Sequence, residues 1–201
     1  MIKAIIFDFG NVISAFDNEI FLKEISKFSN KSVEELNELI YLSSDITKKY
    51  ERGNISSDEF FREVSKKGNL SIEKNEFIQA YTGIFRPIEK THALMKKLKQ
   101  KYRIALLSNT SEWDFEHGIK QSGIFHLFDE ITVSFRVGAM KPDKRMFLDA
   151  IEKLKLKPEE CIYIDDIKEY ADAAEEVGIH SIHYNSHEGL LDFLKEMGVD
   201  L

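Results

Sequence analysis

The chain has 201 residues, of which 43% are hydrophobic and 31% charged, and its net charge of −7 disfavours nucleic-acid binding, which needs a basic face. No stretch approaches the roughly 18–20 apolar residues of a membrane span, and the apolar run before Asp8 is too short for a signal peptide. The single cysteine excludes an intramolecular disulfide and suits a reducing compartment, so we expect a cytoplasmic globular protein.

The first predicted element is a β-strand over residues 4–7. A short run of β-branched and aromatic residues without polar alternation is typical of a strand that is buried on both faces. Asp8 is the first polar residue after this run. It therefore stands at the carboxyl end of the strand, where open parallel sheets bind their ligands.

Residues 15–85 show a different pattern, with apolar residues at helical spacing and no continuous strand-like run. Ser32 with Glu35 and Ser56 with Glu59 have the spacing of capping boxes, which mark helix starts. We therefore predict a four-helix cap domain over 15–85, inserted after the first strand. Residues 1–14 and 86–201 would form the sheet domain.

From residue 88 onwards, predicted helices alternate with predicted strands. The helices cover 88–100, 142–154 and 168–177, and the strands cover 103–107, 130–133, 161–164 and 180–184. Strands that alternate with helices of this length are typical of a parallel sheet with helices on both faces. The predicted fold class is therefore α/β, with a doubly wound parallel sheet.

Polar residues follow several of these strands at their carboxyl ends. They are Asp8, Ser108 and the pair Asp165 and Asp166, and Lys141 precedes the helix that begins at 142. Carboxylates packed together repel one another without a cation, and oxygen-only ligands of this kind suit Mg²⁺. The lysine and the hydroxyl would then bind phosphoryl oxygens.

Four segments resemble, in order, the four motifs of the haloacid dehalogenase superfamily, within it the phosphatases that carry a helical cap. The segments are 7–13 (FDFGNVI), 107–110 (LSNT), 138–143 (GAMKPD) and 163–166 (YIDD). Each is weak by itself, but four in the family's order, each at a strand end or a helix start, form a specific pattern. The resemblance covers essentially the whole chain and implies a Rossmann-like core.

The resemblance also implies a mechanism. Asp8 would attack the phosphorus of a small phosphorylated metabolite, expected to be a sugar phosphate, and form an aspartyl-phosphate that water hydrolyses. Mg²⁺ would be bound by Asp8, the backbone carbonyl of Gly10 and Asp166, with Asp165 as a second ligand or an outer carboxylate. The phosphate-binding residues would be Ser108, Asn109 and Lys141, with Asn109 shaping the loop.

One position departs from the family pattern. Phosphatases of this family usually carry a second Asp two residues after the nucleophile, as acid and base, whereas this chain has Gly10. Proton transfer of that kind contributes about 10²- to 10⁴-fold to the rate. The branch with an Asp-x-Gly-Asn-Val opening nonetheless includes sugar-phosphate phosphatases. Asp17, Asp45 or a cap residue is the candidate replacement, and Gly53 is a candidate cap-loop glycine near the substrate.

Two alternatives remain open at this point. The first is a metal-independent 2-haloacid dehalogenase with Asp8 as nucleophile, which does not need a second Asp. Asp165 and Asp166 disfavour it, because uncompensated carboxylates repel an anionic substrate. The second is a low-turnover phosphate-binding regulatory member of the family. The substrate and the oligomeric state cannot be deduced from these patterns.

Overall fold

The computed structural model describes all residues, 1–201. Its seven β-strands form a parallel sheet of five strands and an antiparallel ribbon of two. The strands are β1 (Ala4–Phe7), β2 (Ser14–Phe16), β3 (Phe85–Pro87), β4 (Arg103–Ser108), β5 (Glu130–Val133), β6 (Cys161–Asp165) and β7 (His180–His183). The five-stranded sheet has the order β5-β4-β1-β6-β7, and every neighbouring pair in it is parallel. The predicted α/β class is confirmed.

Helices cover both faces of this sheet, as the alternation of elements predicts. Side chains of β1 alternate between the faces: Ile5 and Phe7 belong to one buried cluster, and Ala4 and Ile6 to another. Both clusters are fully apolar, which explains why the strands read as continuous hydrophobic runs. None of the helices combines the length and the apolar character that a membrane span requires.

The segment between β2 and β3 is helical and has a core of its own. Its helices are α1 (Asn18–Ser26), α2 (Val33–Asn37), which continues as a π-helical turn over Glu38–Leu42, α3 (Ile46–Glu51), α4 (Ser57–Gly68) and α5 (Lys74–Thr82). A third cluster of 14 buried residues lies among them and includes Phe21, Tyr50, Phe60 and Phe77. Both predicted capping boxes are present, at the starts of α2 and α4.

The remaining helices belong to the sheet part of the chain. They are α6 (Glu89–Leu98), α7 (Ser134–Val137), α8 (Lys144–Leu154), α9 (Lys168–Glu176) and α10 (His187–Glu196), and shorter helical turns cover Asp114–Gly118, Ile119–Gln121, Phe125–Leu127 and Pro158–Glu160.

The sequence patterns did not predict α3 or the ribbon of β2 and β3. The helix α3 has six residues, too few to show a helical period clearly. The strands β2 and β3 have three residues each and pair antiparallel, with Ala15 opposite Arg86. The ribbon lies where the chain passes from the sheet into the helical segment and back again. It brings the side chain of Phe16 next to Gly10.

Candidate active site

The carboxyl ends of β1 and β6 meet at one edge of the sheet and hold Asp8. The backbone N–H of Asp8 donates to the carbonyl oxygen of Ile164 at 2.9 Å, which extends the pairing of the two strands by one residue. Lys141 Nζ lies 2.8 Å from Asp8 Oδ1 and 2.7 Å from Asp165 Oδ2. The Lys141 side chain is only 1% exposed, so one buried cation stands between two buried carboxylates.

Burial and these ion pairs determine the protonation of the group. Burial raises the pKa of Asp8 to about 6; Lys141 opposes the shift and Asp165 adds to it. Burial lowers the pKa of Lys141, but Asp8 and Asp165 together raise it above its usual value. Lys141 is therefore charged near neutral pH, and further positive charge would favour the ionised form of Asp8.

Asp166 lies beside this ion-pair group and completes an acidic cluster. One carboxylate oxygen each from Asp8, Asp165 and Asp166 lie within 4.8 Å of one another. Asp165 accepts three hydrogen bonds: its Oδ2 accepts from Lys141 and Tyr163, and its Oδ1 accepts from the backbone N–H of Ile167. Asp166 accepts one hydrogen bond, from Asn11 Nδ2 at 3.0 Å. Asp8 and Asp166 thus have more capacity for a cation than Asp165.

The loop after β4 supplies Ser108 and Asn109. Ser108 is 3% exposed and ends the strand. Asn109 Nδ2 donates to the carbonyl oxygen of Lys141 at 3.2 Å, and Asn109 Oδ1 accepts from the backbone N–H of Lys141 at 2.8 Å. This pair of hydrogen bonds fastens the loop that carries Lys141 to the end of β4, so Asn109 sets the position of the lysine.

Gly10 lies directly beside the Asp8 carboxylate. A Cβ atom at residue 10 would lie 4.0 Å from Asp8 Oδ2 and 3.0 Å from Cε1 of Phe16. A longer side chain at this position would therefore have to displace the Phe16 ring. In this chain the Phe16 ring thus occupies the space next to the Cβ position of residue 10.

A cavity of about 100 Å³ extends from this edge of the sheet towards the helical segment. We call it the cap cavity. It shares Gly10, Phe16, Glu51, Ser108 and Asn109 with the open space in front of Asp8 and Lys141. The other polar residues along its wall are Asn18, Tyr41, Thr47, Tyr81, Thr110 and Asp114. The cap cavity and the space in front of Asp8 are therefore neighbouring parts of one site.

Two carboxyl groups of the cap cavity have raised pKa values. Burial raises the pKa of Asp114 to about 7, against the effect of the Ser111 and Tyr81 hydroxyls. Burial also raises the pKa of Glu51 to about 7; Asp114 adds to the shift and Lys48 opposes it. Both carboxyls therefore exchange protons near neutral pH, which is uncommon for acidic side chains and typical of functional sites.

Glu51 reaches this position because the end of α3 is fastened to the sheet. Ser134 Oγ, at the start of α7, donates to the carbonyl oxygen of Glu51 at 2.5 Å. Gly53 follows with φ +73°, and a Cβ there would lie 2.3 Å from the carbonyl oxygen of Phe135. Only glycine permits this close approach, so the local sequence sets how α3 meets α7.

The match to a known family agrees with this geometry. The family model described as "Hydrolase: haloacid dehalogenase-like hydrolase" matches residues 2–178. The chain belongs to the haloacid dehalogenase-like hydrolases.

Relatives of this hydrolase include phosphatases of similar length. D-ribitol-5-phosphate phosphatase of Bacteroides thetaiotaomicron is 26% identical over 209 residues, which cover 100% of this chain and 95% of that protein. Sesquiterpene phosphatase astK of Aspergillus oryzae is 27% identical over 187 residues, which cover 90% and 89%. A HAD family enzyme of Bacteroides thetaiotaomicron, solved with magnesium and inorganic phosphate, superimposes with a TM-score of 0.81 at 23% identity, covering 94% of this chain and 99% of that one.

The hydrolase brings together the residues that the motifs single out, but not the two acidic candidates for the missing proton donor. Asp17 caps α1, where its Oδ1 accepts from the backbone N–H of Glu19 at 2.9 Å. Asp45 is exposed at the start of α3. Neither lines the cap cavity or the space in front of Asp8. Gly53 lies against Phe135 and does not line the cap cavity either.

Glu51 and Asp114 are the site residues that sequence reasoning missed. Glu51 lies two residues before Gly53, and Gly53 is the residue of that stretch that the sequence patterns single out. Asp114 follows the second motif by a few residues, and nothing in its spacing distinguishes it from a surface carboxylate. Their position depends on how the helical segment packs on the sheet.

Proposed function

We propose that this hydrolase is a Mg²⁺-dependent phosphatase that acts on a small phosphomonoester, expected to be a sugar phosphate, through an aspartyl-phosphate on Asp8. The observation that carries the proposal is the placement of Asp8 within 2.8 Å of a buried, charged Lys141 and beside a second carboxylate pair. The named relatives that match this chain along most of their length are phosphatases.

The donor set supports a magnesium site. Asp8, the backbone carbonyl of Gly10 and Asp166 would bind the ion, and all three provide oxygen, which Mg²⁺ prefers. The clustering of three carboxylates around a single buried lysine supports the assignment, since the cluster carries more negative than positive charge. When bound, Mg²⁺ would supply positive charge that favours ionised Asp8 and stabilises charge on the transferring phosphoryl group.

The proposed reaction has two steps. A carboxylate oxygen of Asp8 forms a bond to phosphorus as the bond to the leaving-group oxygen breaks, and that oxygen takes up a proton. Water then attacks the phosphorus of the aspartyl-phosphate, loses a proton, and releases phosphate and free Asp8. Lys141 and the Ser108 hydroxyl would bind the phosphoryl oxygens in both steps, and Asn109 would hold Lys141 in place.

Glu51 is our proposal for the group that transfers the protons. It is the one carboxyl of the helical segment that lines both the cap cavity and the space in front of Asp8. With a pKa of about 7 it has a proton to give to the leaving group, and once ionised it can accept one from water. It would take the role that the family gives to a second Asp at the position of Gly10.

The proposed function is tested by phosphate release from a panel of phosphomonoesters. We expect release with Mg²⁺ and none with EDTA. The same preparation is tested for halide release from 2-haloacids in EDTA, which the dehalogenase alternative requires. Halide release without metal, or phosphate release that EDTA does not change, would contradict the proposal. Phosphate binding with negligible turnover across the panel would favour the regulatory alternative.

A further inference from the structure

Asn11 follows Gly10 in the first motif and has no part in the proposed reaction. Its backbone lies in the left-handed region, with φ +52°, which is uncommon for residues other than glycine. Two backbone hydrogen bonds fix this turn: the N–H of Asn11 donates to the carbonyl oxygen of Ser14 at 2.8 Å, and the N–H of Ser14 donates to the carbonyl oxygen of Phe9 at 2.9 Å. Because asparagine tolerates the left-handed conformation, a polar side chain projects from the turn in a defined direction.

The side chain of Asn11 reaches the residue that follows β6. Asn11 Nδ2 donates to Asp166 Oδ2 at 3.0 Å, and this is the one hydrogen bond that the Asp166 carboxylate accepts from the protein. The main chain of Asp166 is held separately, because His183 Nε2 donates to its carbonyl oxygen at 3.0 Å. The position of the Asp166 backbone therefore depends on β7, whereas the direction of its carboxylate depends on Asn11.

The direction of the Asp166 carboxylate needs support because its neighbours repel it. One carboxylate oxygen each from Asp8, Asp165 and Asp166 lie within 4.8 Å of one another. Lys141 forms ion pairs with the first two but not with Asp166. Asp166 is only partly buried, so without the Asn11 amide its side chain would be free to turn towards solvent, and repulsion between like charges would favour that movement.

We propose that Asn11 is a positioning residue that holds the Asp166 carboxylate in place for the cation and thereby favours Mg²⁺ over Ca²⁺. Mg²⁺ requires a nearly ideal octahedron of oxygen ligands, whereas Ca²⁺ accepts more ligands in flexible arrangements. A carboxylate that is fixed before the ion arrives therefore helps Mg²⁺ more than Ca²⁺. The proposal rests on the magnesium site of the proposed function, and it adds the residue that prepares one of the ligands.

The test measures cation binding in the absence of substrate. The Kd values of Mg²⁺ and Ca²⁺ are obtained from the rise of the melting temperature with the concentration of each chloride salt, after bound metal has been removed with EDTA. Asp166→Ala lacks a ligand of the site, so the rise that it retains measures binding elsewhere on a protein of net charge −7. In the wild type, we expect the site to bind Mg²⁺ more tightly than Ca²⁺.

Asn11→Gly removes the amide and keeps the left-handed turn without strain. The Kd of Mg²⁺ should rise by about 10- to 100-fold, the usual effect of losing a hydrogen-bond partner of a metal ligand, and the Kd of Ca²⁺ should rise by a smaller factor. The matched control is Asn69→Gly, which should keep both wild-type Kd values. Asn69 has φ +50° and donates from Nδ2 to Asn30 Oδ1 at 3.2 Å, but it lies at the end of α4 and does not line the site.

The outcomes separate this inference from the proposed function. If Asn11→Gly keeps the wild-type preference for Mg²⁺, or weakens the binding of both cations equally, Asn11 does not position Asp166 and the inference is overturned. A wild type that binds Ca²⁺ as tightly as Mg²⁺ overturns it as well, whether or not the glycine variant folds. If the wild type binds no more Mg²⁺ than Asp166→Ala does, the magnesium site itself, and with it the proposed function, is contradicted.

Discussion

Lys141 offsets part of the negative charge of the site, and its loss should affect both stability and turnover. In Lys141→Met, Asp8 and Asp165 lose their shared ion-pair partner in a buried place. Removing one partner of a buried pair costs about 3–5 kcal/mol, so we expect a destabilisation of that order at neutral pH. Urea unfolding measures it. The matched control, Lys168→Met, removes an exposed ion pair with Asp172 and should cost about 0.5 kcal/mol or less.

Turnover of Lys141→Met should fall by about 100-fold or more, because the phosphoryl oxygens lose a buried cation. A folded Lys141→Met variant with wild-type kcat would contradict the role assigned to this residue. Wild-type stability in the variant would contradict the buried ion pairs.

Glu51 should matter most for substrates with poor leaving groups. Glu51→Gln cannot transfer the proton, so we expect kcat for an alkyl or alditol phosphate to fall by about 10²- to 10⁴-fold. For p-nitrophenyl phosphate, the rate of the first step should fall much less, because its leaving group needs no proton. Asp45→Asn, an exposed carboxylate at the other end of α3, serves as control and should match the wild type. Equal losses in the rate of the first step for both kinds of leaving group would rule out Glu51 as the acid.

At the scale of elements, the contact between α3 and α7 sets the position of Glu51. Gly53→Ala places a Cβ where the Phe135 carbonyl oxygen lies 2.3 Å away and also strains a φ of +73°. Gly198→Ala has the same φ of +73° but open space around the Cβ, so it isolates the backbone strain of about 1–2 kcal/mol.

We expect Gly53→Ala to lower the melting temperature more than Gly198→Ala does, and to lower kcat/KM as well, because the end of α3 moves away from the sheet. Thermal unfolding and phosphate release measure the two effects. If the two alanine variants behave alike in both assays, the close approach at Gly53 does not position α3.

The elements that the sequence predicts well are those whose burial leaves a regular pattern. Strands such as β1 and β6 are buried on both faces and therefore read as short apolar runs, and α8 shows its buried face at helical spacing. The strands β2 and β3 could not be predicted, because three half-exposed residues acquire their conformation only by pairing across the whole helical segment.

The same distinction applies to the site. Asp8, Ser108 and Asp165 follow recognisable strands, so their convergence follows from the topology of a parallel sheet. Glu51 and Asp114 come together only through packing of the helical segment on the sheet, which leaves no local signal. Their raised pKa values arise from that burial and not from any neighbour in the sequence.

At the scale of the whole molecule, the buried carboxyls predict an unusual pH dependence of stability. The pKa values of Glu51 and Asp114 are about 7 in the folded state, above the ordinary values of 4.5 and 3.8. The folded state therefore binds more protons than the unfolded state between about pH 4 and 7. The free energy of unfolding in EDTA should consequently rise as the pH falls from 7.5 to 5.5, by on the order of 1–2 kcal/mol per carboxyl.

The double variant Glu51→Gln, Asp114→Asn removes two of the three carboxyls with raised pKa values and should lose most of this rise; Asp8, with a pKa of about 6, accounts for the remainder. Urea unfolding at the two pH values checks it, with EDTA present so that metal binding does not contribute. A wild-type protein that becomes less stable on acidification over this interval would show that neither carboxyl is buried as described.

Transfer of a phosphoryl group to Asp8 can be detected by acid quenching of the enzyme during turnover. With Mg²⁺ and a hydrolysed phosphomonoester, treatment of the quenched protein with borohydride and mass spectrometry of its peptides should locate the modification at Asp8. Asp8→Asn should show neither the modification nor phosphate release, whereas Asp17→Asn, an exposed carboxylate at the start of α1, should show both. Phosphate release that persists in Asp8→Asn, or modification at another residue, would show that Asp8 is not the nucleophile.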